Sequence, residues 1–195
     1  VKRLLDMCRL AHIMLIFVHL AFTLFLSLTA LINIHIIPHS HNDYGWLKTP
    51  FEYYYGIDNH IQNAEVRLIL DSVTMALIKN PERTFIYDVI GFFSIWFDSL
   101  NNETKLLFNK LLANSQFEFV NGGWVSNDEA TADYLNIIDQ LTDGLLYLKR
   151  TFKGLSRPFV GWQVDPFGHS LGMSSILSAM EFKALFFGRV SYDIK

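Results

Sequence analysis

Apolar and polar positions alternate in two different ways along this chain. Up to residue 31 the apolar positions are nearly continuous: Lys2, Arg3 and Arg9 mark the start, and no charged residue follows Arg9 until Asp43. A run of about 20 apolar residues can cross a bilayer as a helix, because a helix satisfies its own backbone there. A basic start before an apolar run also fits a secretory signal peptide, with Ser27, Thr29 and Ala30 as small residues near a cleavage point. The apolar positions run all round rather than forming one stripe, which argues against an amphipathic core helix. Residues 1–31 therefore read as a signal peptide or signal-anchor. Either form delivers the rest of the chain to the secretory lumen, and the anchor form inserts into the membrane.

Beyond residue 31 the pattern shortens and alternates. The β-branched run 32–37 (INIHII) predicts a first strand, and 84–89, 117–120, 159–164 and 184–187 predict four more. Helical spacing predicts helices over 59–80, closed by Pro81, and over 92–113, 133–151 and 171–180. Strands alternating with helices imply a parallel sheet with right-handed crossovers. Five such units make either an open sheet or the first part of a closed barrel, which usually needs ~250 residues. The fifth predicted strand has no helix after it to cover it.

Composition narrows the classes. The 195 residues are 51% hydrophobic and 18% charged, with 15% aromatics, which excludes a disordered chain. A net charge of −3 and a pI near 6.2 leave no basic face for nucleic acid. The single cysteine, Cys8, excludes an internal disulfide and any cysteine-based zinc cluster. Asn102-Glu103-Thr104 is an acceptor sequence for N-glycosylation in a polar stretch, in keeping with the secretory route.

Polar residues gather where the predicted strands end, which is where parallel α/β folds place their sites. The first strand runs into Pro38-His39-Ser40-His41-Asn42-Asp43-Tyr44-Gly45-Trp46. The third runs into Asn121-Gly122-Gly123-Trp124, then Asn127, Asp128 and Glu129; the fourth into Asp165-Pro166-Phe167-Gly168-His169-Ser170; the fifth into Gly188-Arg189. In an extended chain His39, His41 and Asp43 share a face, and imidazole with carboxylate suits zinc. Spacing leaves open which two of the three bind, and a polar turn with backbone-bonded histidines is the competing reading. Asp165, held at a strand exit by Pro166, fits a metal ligand, a nucleophile, a general base or a helix N-cap partner. Trp46 and Trp124 fit either walls for a sugar ring or core fillers, and Arg189 either a substrate fork or a surface ion pair.

The string PHSHNDYGWLKT (38–49) followed by EYYYG (52–56) resembles the opening signature of the glycoside hydrolase family 38 α-mannosidases, the lysosomal branch above all. RTFIY (83–87), FFS (92–94), EFVNGGWVSNDEA (118–130), IIDQLT (137–142), DPFGHS (165–170) and FFGR (186–189) follow in the family's order. The resemblance covers nearly all of residues 38–195. It implies a parallel β/α barrel-like fold: an incomplete seven-stranded β/α barrel with about five strands present, over 32–195, preceded by the N-terminal hydrophobic helix. It implies a zinc-dependent retaining α-mannosidase acting on α-mannose-containing glycans, resident in the lysosomal lumen, with Golgi-type membrane anchoring as the alternative. Carried over residue by residue, His41, Asp43 and Asp165 are zinc ligands, Asp165 is also the catalytic nucleophile, and Trp46 and Arg189 line the mannose subsite. His39 then supports the ligands rather than joining them.

Departures from the family pattern accompany the match. The resemblance assigns a fourth zinc ligand, a His, and the acid/base Asp to positions beyond residue 195. The carboxylate expected two positions after FIY is here one position after it, at Asp88, with Val89 following. Asp133 replaces the usual His before Tyr134, and Ser126 the usual Met before Asn127. These departures set a second expectation beside the first: a non-catalytic, membrane-tethered fragment or incomplete gene model. A third is an amidohydrolase-like or deacetylase-like enzyme using His39 and His41 as a metal pair.

Overall fold

The computed structural model describes residues 14–17, 19 and 32–194. The chain divides into two compact units, residues 1–36 and 37–195. In the first, residues 14–17 and 19 are helical and 32–36 carry no ladder; Ile32, Ile34 and Ile36 are exposed. The remainder of the segment expected as a signal or anchor lies outside the described residues. Among the described residues no helix is long and apolar enough to cross a membrane.

The second unit opens on α1 (Pro50–Tyr55), which the hydrophobic pattern did not predict. Its signals are local ones. Thr49 accepts from the Glu52 backbone N–H while the Glu52 side chain accepts from Thr49 N–H, Pro50 occupies the first turn, and Gly56 closes it at φ 68°. Then follow α2 (Val66–Lys79), β1 (Phe85–Tyr87), α3 (Ile90–Ser99), α4 (Asn102–Ala113), β2 (Phe117–Phe119), α5 (Tyr134–Thr151), β3 (Val160–Gln163), α6 (Leu171–Ala179), β4 (Ala184–Phe187) and a 3-10 turn at Tyr192–Ile194. The single helix expected over 92–113 is two. Asn101 breaks it by accepting from Thr104 N–H, which starts α4 afresh.

The barrel expectation fails. The described residues hold four strands in two separate two-stranded parallel sheets, β1–β2 and β3–β4, and no closed barrel. Phe85, Ile86 and Tyr87 pair with Phe117, Glu118 and Phe119, while 160–163 pair with 184–187. The run 32–37 is not a strand, because apolar β-branched residues need a ladder to join. Among the described residues a single parallel bridge between His39 and Ile86 forms beside β1, closed by Ile86 N–H donating to Pro38 O at 3.0 Å.

The ladder also stops between β2 and β3. Asn121 turns into the left-handed region (φ 53°), which Asn tolerates better than most residues. Its backbone N–H still reaches Val160 O at 2.8 Å, and its side chain completes the seam. Oδ1 accepts from Trp162 N–H at 2.6 Å and Nδ2 donates to Trp162 O. One amide side chain thus takes the place of the next ladder rung.

The main core lies between the β1–β2 sheet and α2–α5. Phe93, fully buried, packs its ring against Phe119 at 4.8 Å, Phe108 at 5.4 Å, Phe97 at 5.5 Å and Trp96 at 5.7 Å. Offset and edge-on geometries of this kind add to area burial. Ile137 and Leu141 of α5 with Met173 and Leu177 of α6 form a second, smaller core.

Candidate active site

Three loops build the site. The first follows the bridge at His39 and carries His41, Asp43 and Trp46. Asn42 is buried beneath it and accepts from the Ser40 hydroxyl at 3.0 Å. The buried Lys48 ammonium donates to Ile57 O at 2.8 Å and to Asn59 Oδ1 at 3.0 Å, and lies 5.0 Å from the Tyr53 ring centroid. That cation fastens the end of the first loop to the turn after α1.

The second loop leaves β2 as Asn121-Gly122-Gly123-Trp124 and rests on α5. Gly144 in that helix has no side chain because a Cβ there would stand 2.2 Å from Gly122 O and 2.8 Å from Trp124 N. At this approach Trp124 N–H donates to Gln140 O at 2.9 Å, Val125 N–H to Gln140 Oε1 at 3.1 Å, and Gln140 Nε2 to Asn127 Oδ1 at 3.0 Å. The third loop leaves β3 through Asp165. The exit of β4 presses against it, since a Cβ on Gly188 would lie 2.2 Å from Val164 O.

The first loop, the third loop and the exit of β4 bring together His41, Asp43, Asp165 and Arg189. His41 Nε2 stands 3.3 Å from Asp43 Oδ1 and 3.7 Å from Asp165 Oδ2. The Arg189 guanidinium pairs with Asp165 Oδ1 and lies 5.1 Å from the centroid of the Phe167 ring. The side chains of His41, Asp43 and Asp165 are 29%, 44% and 30% exposed, open enough for a ligand yet shielded on one side. Trp46 is exposed at 69%. His39 does not share their face: its ring meets Trp162 edge-on at 5.1 Å, so the extended-chain argument that grouped it with His41 and Asp43 does not describe this loop.

A tetrahedral ion with nitrogen and oxygen ligands at ~2.0–2.2 Å separates its ligand atoms by about 3.3–3.6 Å. The two spacings at His41 Nε2 compare well with that, and one imidazole with two carboxylates is a suitable donor set. Among the described residues, however, no group of three or more His, Cys, Asp or Glu side chains is assembled to hold a metal ion. His41, Asp43 and Asp165 are therefore a partial set of the right chemistry, with one Asp165 oxygen already engaged by Arg189.

Asp88, the carboxylate displaced by one position from the family pattern, lies within electrostatic reach of His41 and Asp43. It is 2% exposed and its Oδ2 has no hydrogen-bond partner. Burial pushes its carboxyl up from 3.8 to about 6; the charge on His41 and a hydrogen bond from Ser126 work against that rise, and Asp43 adds to it. A short strand followed by one carboxylate gives no signal of such burial. The other side chains missed as partners are Glu129 and His169, one on the second loop and one on the third. Their hydrogen bond spans 40 positions, which no local pattern could register.

A parallel α/β unit with imidazole, carboxylate and guanidinium groups gathered beyond its strand ends has the organisation of a domain that works on small polar ligands at those ends. The particular family follows from comparison. Residues 31–195 match the Glycosyl hydrolases family 38 N-terminal domain, and the chain belongs to that family. It is 50% identical over 165 residues to a lysosomal alpha-mannosidase of Bos taurus and 48% identical to that of Homo sapiens, covering 85% of this chain and 16% of each relative. The chain thus spans about one sixth of the length of these curated relatives. Among solved structures, an alpha-mannosidase from Enterococcus faecalis matches over 77% of this chain and 16% of its own, with a TM-score of 0.58 and 18% identity, a likeness of fold alone.

Proposed function

We propose that residues 32–195 are the N-terminal part of the catalytic domain of a zinc-dependent retaining α-mannosidase that removes α-linked mannose from glycans in the lysosomal lumen. The observation that carries this reading is the convergence of His41, Asp43, Asp165 and Arg189 from three distant segments of a chain that is half identical to lysosomal alpha-mannosidases. Residues 1–31 are proposed as the segment that directs the chain into the secretory route.

In this reading Asp165 attacks the anomeric carbon. The bond from its carboxylate oxygen to C1 forms as the bond from C1 to the leaving oxygen breaks, and that oxygen takes a proton from a second carboxylic acid ~5–5.5 Å away. Water then releases mannose from the glycosyl-enzyme by the reverse proton path. Arg189 fixes the Asp165 carboxylate through Oδ1 and leaves Oδ2 turned to His41. The exposed Trp46 indole offers an apolar face to the sugar ring. His41, Asp43 and Asp165 would hold the zinc, whose contribution when bound is to polarise and grip sugar hydroxyls.

The test is titration of zinc into the chain and into His41→Ala and Asp165→Asn, followed by calorimetry, with aryl α-mannoside turnover measured before and after chelation. The expected results are binding that weakens at least about tenfold in both variants, and turnover that chelation abolishes wherever turnover is present. Equal zinc affinity in all three proteins, or turnover indifferent to chelator, would refute the proposal.

A further inference from the structure

Glu129 of the second loop binds the third loop at His169 and Ser170, and His169 in turn reaches the exit of β4. The Glu129 side chain is 1% exposed, yet it lies in the polar run Asn127-Asp128-Glu129, where a solvated carboxylate is the ordinary expectation. Its Oε2 accepts from Ser170 N–H at 2.9 Å, at the N-cap of α6, and its Oε1 lies 3.3 Å from His169 Nδ1. The other ring nitrogen, Nε2, lies 2.7 Å from the backbone oxygen of Arg189. The ring also packs edge-on with that of Phe187, the centroids 4.9 Å apart.

The hydrogen-bond inventory decides the charge state. A backbone carbonyl only accepts, and a carboxylate whose second oxygen takes a backbone N–H accepts as well. With Glu129 ionised, both ring nitrogens of His169 face acceptors, and the doubly protonated imidazolium is the form that donates to both. Glu129 is the charged side chain facing the ring. Arg189 presents its carbonyl there, while its guanidinium is turned to Asp165, and Phe187 adds an uncharged aromatic ring.

We propose that Glu129 and a cationic His169 form a clasp that ties the exits of β2, β3 and β4 together and so positions Arg189 against Asp165. Both are positioning residues: neither touches the His41, Asp43 and Asp165 group. The clasp concerns the site assigned above, but its charge and its mechanical role do not depend on the reaction run there. In keeping with it, the hydrogen bond to Arg189 O first, and then the hydrogen bond and charge of Glu129, raise the His169 pKa above its ordinary value against the opposing effect of desolvation.

The experiment uses the 195-residue chain, Glu129→Gln and His169→Phe, and needs no turnover. Ring-nitrogen NMR is expected to show His169 doubly protonated at neutral pH in the parent chain. In Glu129→Gln, which keeps an acceptor for Ser170 N–H but removes the charge, its titration should move down toward the ordinary histidine range. Amide exchange followed by mass spectrometry is expected to quicken by about tenfold or more over 165–170 and 186–190 in His169→Phe, with α2–α4 unchanged. A neutral His169 ring in the parent, an unmoved titration in Glu129→Gln, or unchanged exchange in both segments of His169→Phe would each overturn the clasp. A uniform rise in exchange across the molecule would overturn it too, by marking a general loss of stability. Should Glu129→Gln fail to fold, the parent ring spectrum and the His169→Phe exchange pattern decide alone. Failure of the mannosidase reading would appear in the zinc and turnover assays and leave these signals untouched.

Discussion

Replacing Gly144 by Ala sets two effects of opposite sign against each other. Helix propensity alone favours the change by about 1 kcal/mol, because Gly is the poorer helix former. The site itself forbids it. The new Cβ would stand 2.2 Å from Gly122 O, 2.6 Å from the Gly123 carbonyl carbon and 2.8 Å from Trp124 N, all of them backbone atoms. No rotamer relieves such a clash, so α5 must move off the second loop by most of an ångström. Overpacking of that kind costs about 1–3 kcal/mol. The shift also stretches the bonds from Trp124 N–H and Val125 N–H to Gln140, worth about 1 kcal/mol each. The expected net is a loss of about 2 kcal/mol, or a Tm lower by about 4–8 °C. The assay is urea and thermal unfolding followed by circular dichroism. Gly172→Ala serves as control: it lies in α6 and meets only Ser170 Oγ at 3.4 Å, so it should be neutral or stabilising by up to about 1 kcal/mol. A Gly144→Ala chain as stable as the parent, or more so, would refute the close-packing account of how the Asn121–Trp124 loop is held.

Asp88 predicts a pH signature in chelator-treated protein. Its folded pKa of about 6 lies above 3.8, so between those values the folded chain holds a proton that the unfolded chain has released. Stability therefore falls as pH rises from about 4 to 6, by about 3 kcal/mol in all, and Asp88→Asn should flatten that slope in urea midpoints; parallel curves for the two proteins would contradict it. Asn121→Ala leaves the buried N–H and C=O of Trp162 unpaired and puts at φ 53° a residue that tolerates the left-handed region less well than Asn, so a loss of about 3–4 kcal/mol is expected by denaturant unfolding, and a loss below about 1 kcal/mol would argue against the seam. Phe93→Ala removes the ring that joins Phe97, Phe108 and Phe119, with an expected cost of about 3–5 kcal/mol; a near-neutral result would mean that this cluster is not the core.

Apart from the break at Asn101 that makes two helices of one, the order of helices and strands after residue 66 was legible because each element is set by local spacing: Ala184–Phe187 is the predicted segment, and 117–119 and 160–163 lie within one or two residues of theirs. Closure was not legible. Whether strands join depends on partners far away in sequence, and at Asn121 a left-handed turn replaces the ladder with a side chain. The run 32–37 shows the same limit from the other side, since its β-branched composition is sound but its partner is missing apart from one bridge at His39. The first helix was overlooked because six residues are too few for a hydrophobic stripe, although its capping box could be read directly from Thr49-Pro50-Phe51-Glu52. At the site, no periodicity could link His41 to Asp165, 124 positions apart; the long motif strings singled both out, and the structure sets them 3.7 Å from each other.

The side chain that bridges the two sheets belongs to an Asn followed directly by Gly. That pair is the dipeptide most open to attack of the following nitrogen on the amide carbon, with loss of ammonia. Here the amide is 4% exposed and held at both atoms by Trp162, so the intact fold shields it. Once opened and aged, the residue would return as a carboxylate, setting an acceptor against the Trp162 carbonyl where a donor stood. A single spontaneous chemical event in the unfolded chain would therefore erase the stitch between the two sheets, and the molecule's shelf life is tied to how seldom it unfolds.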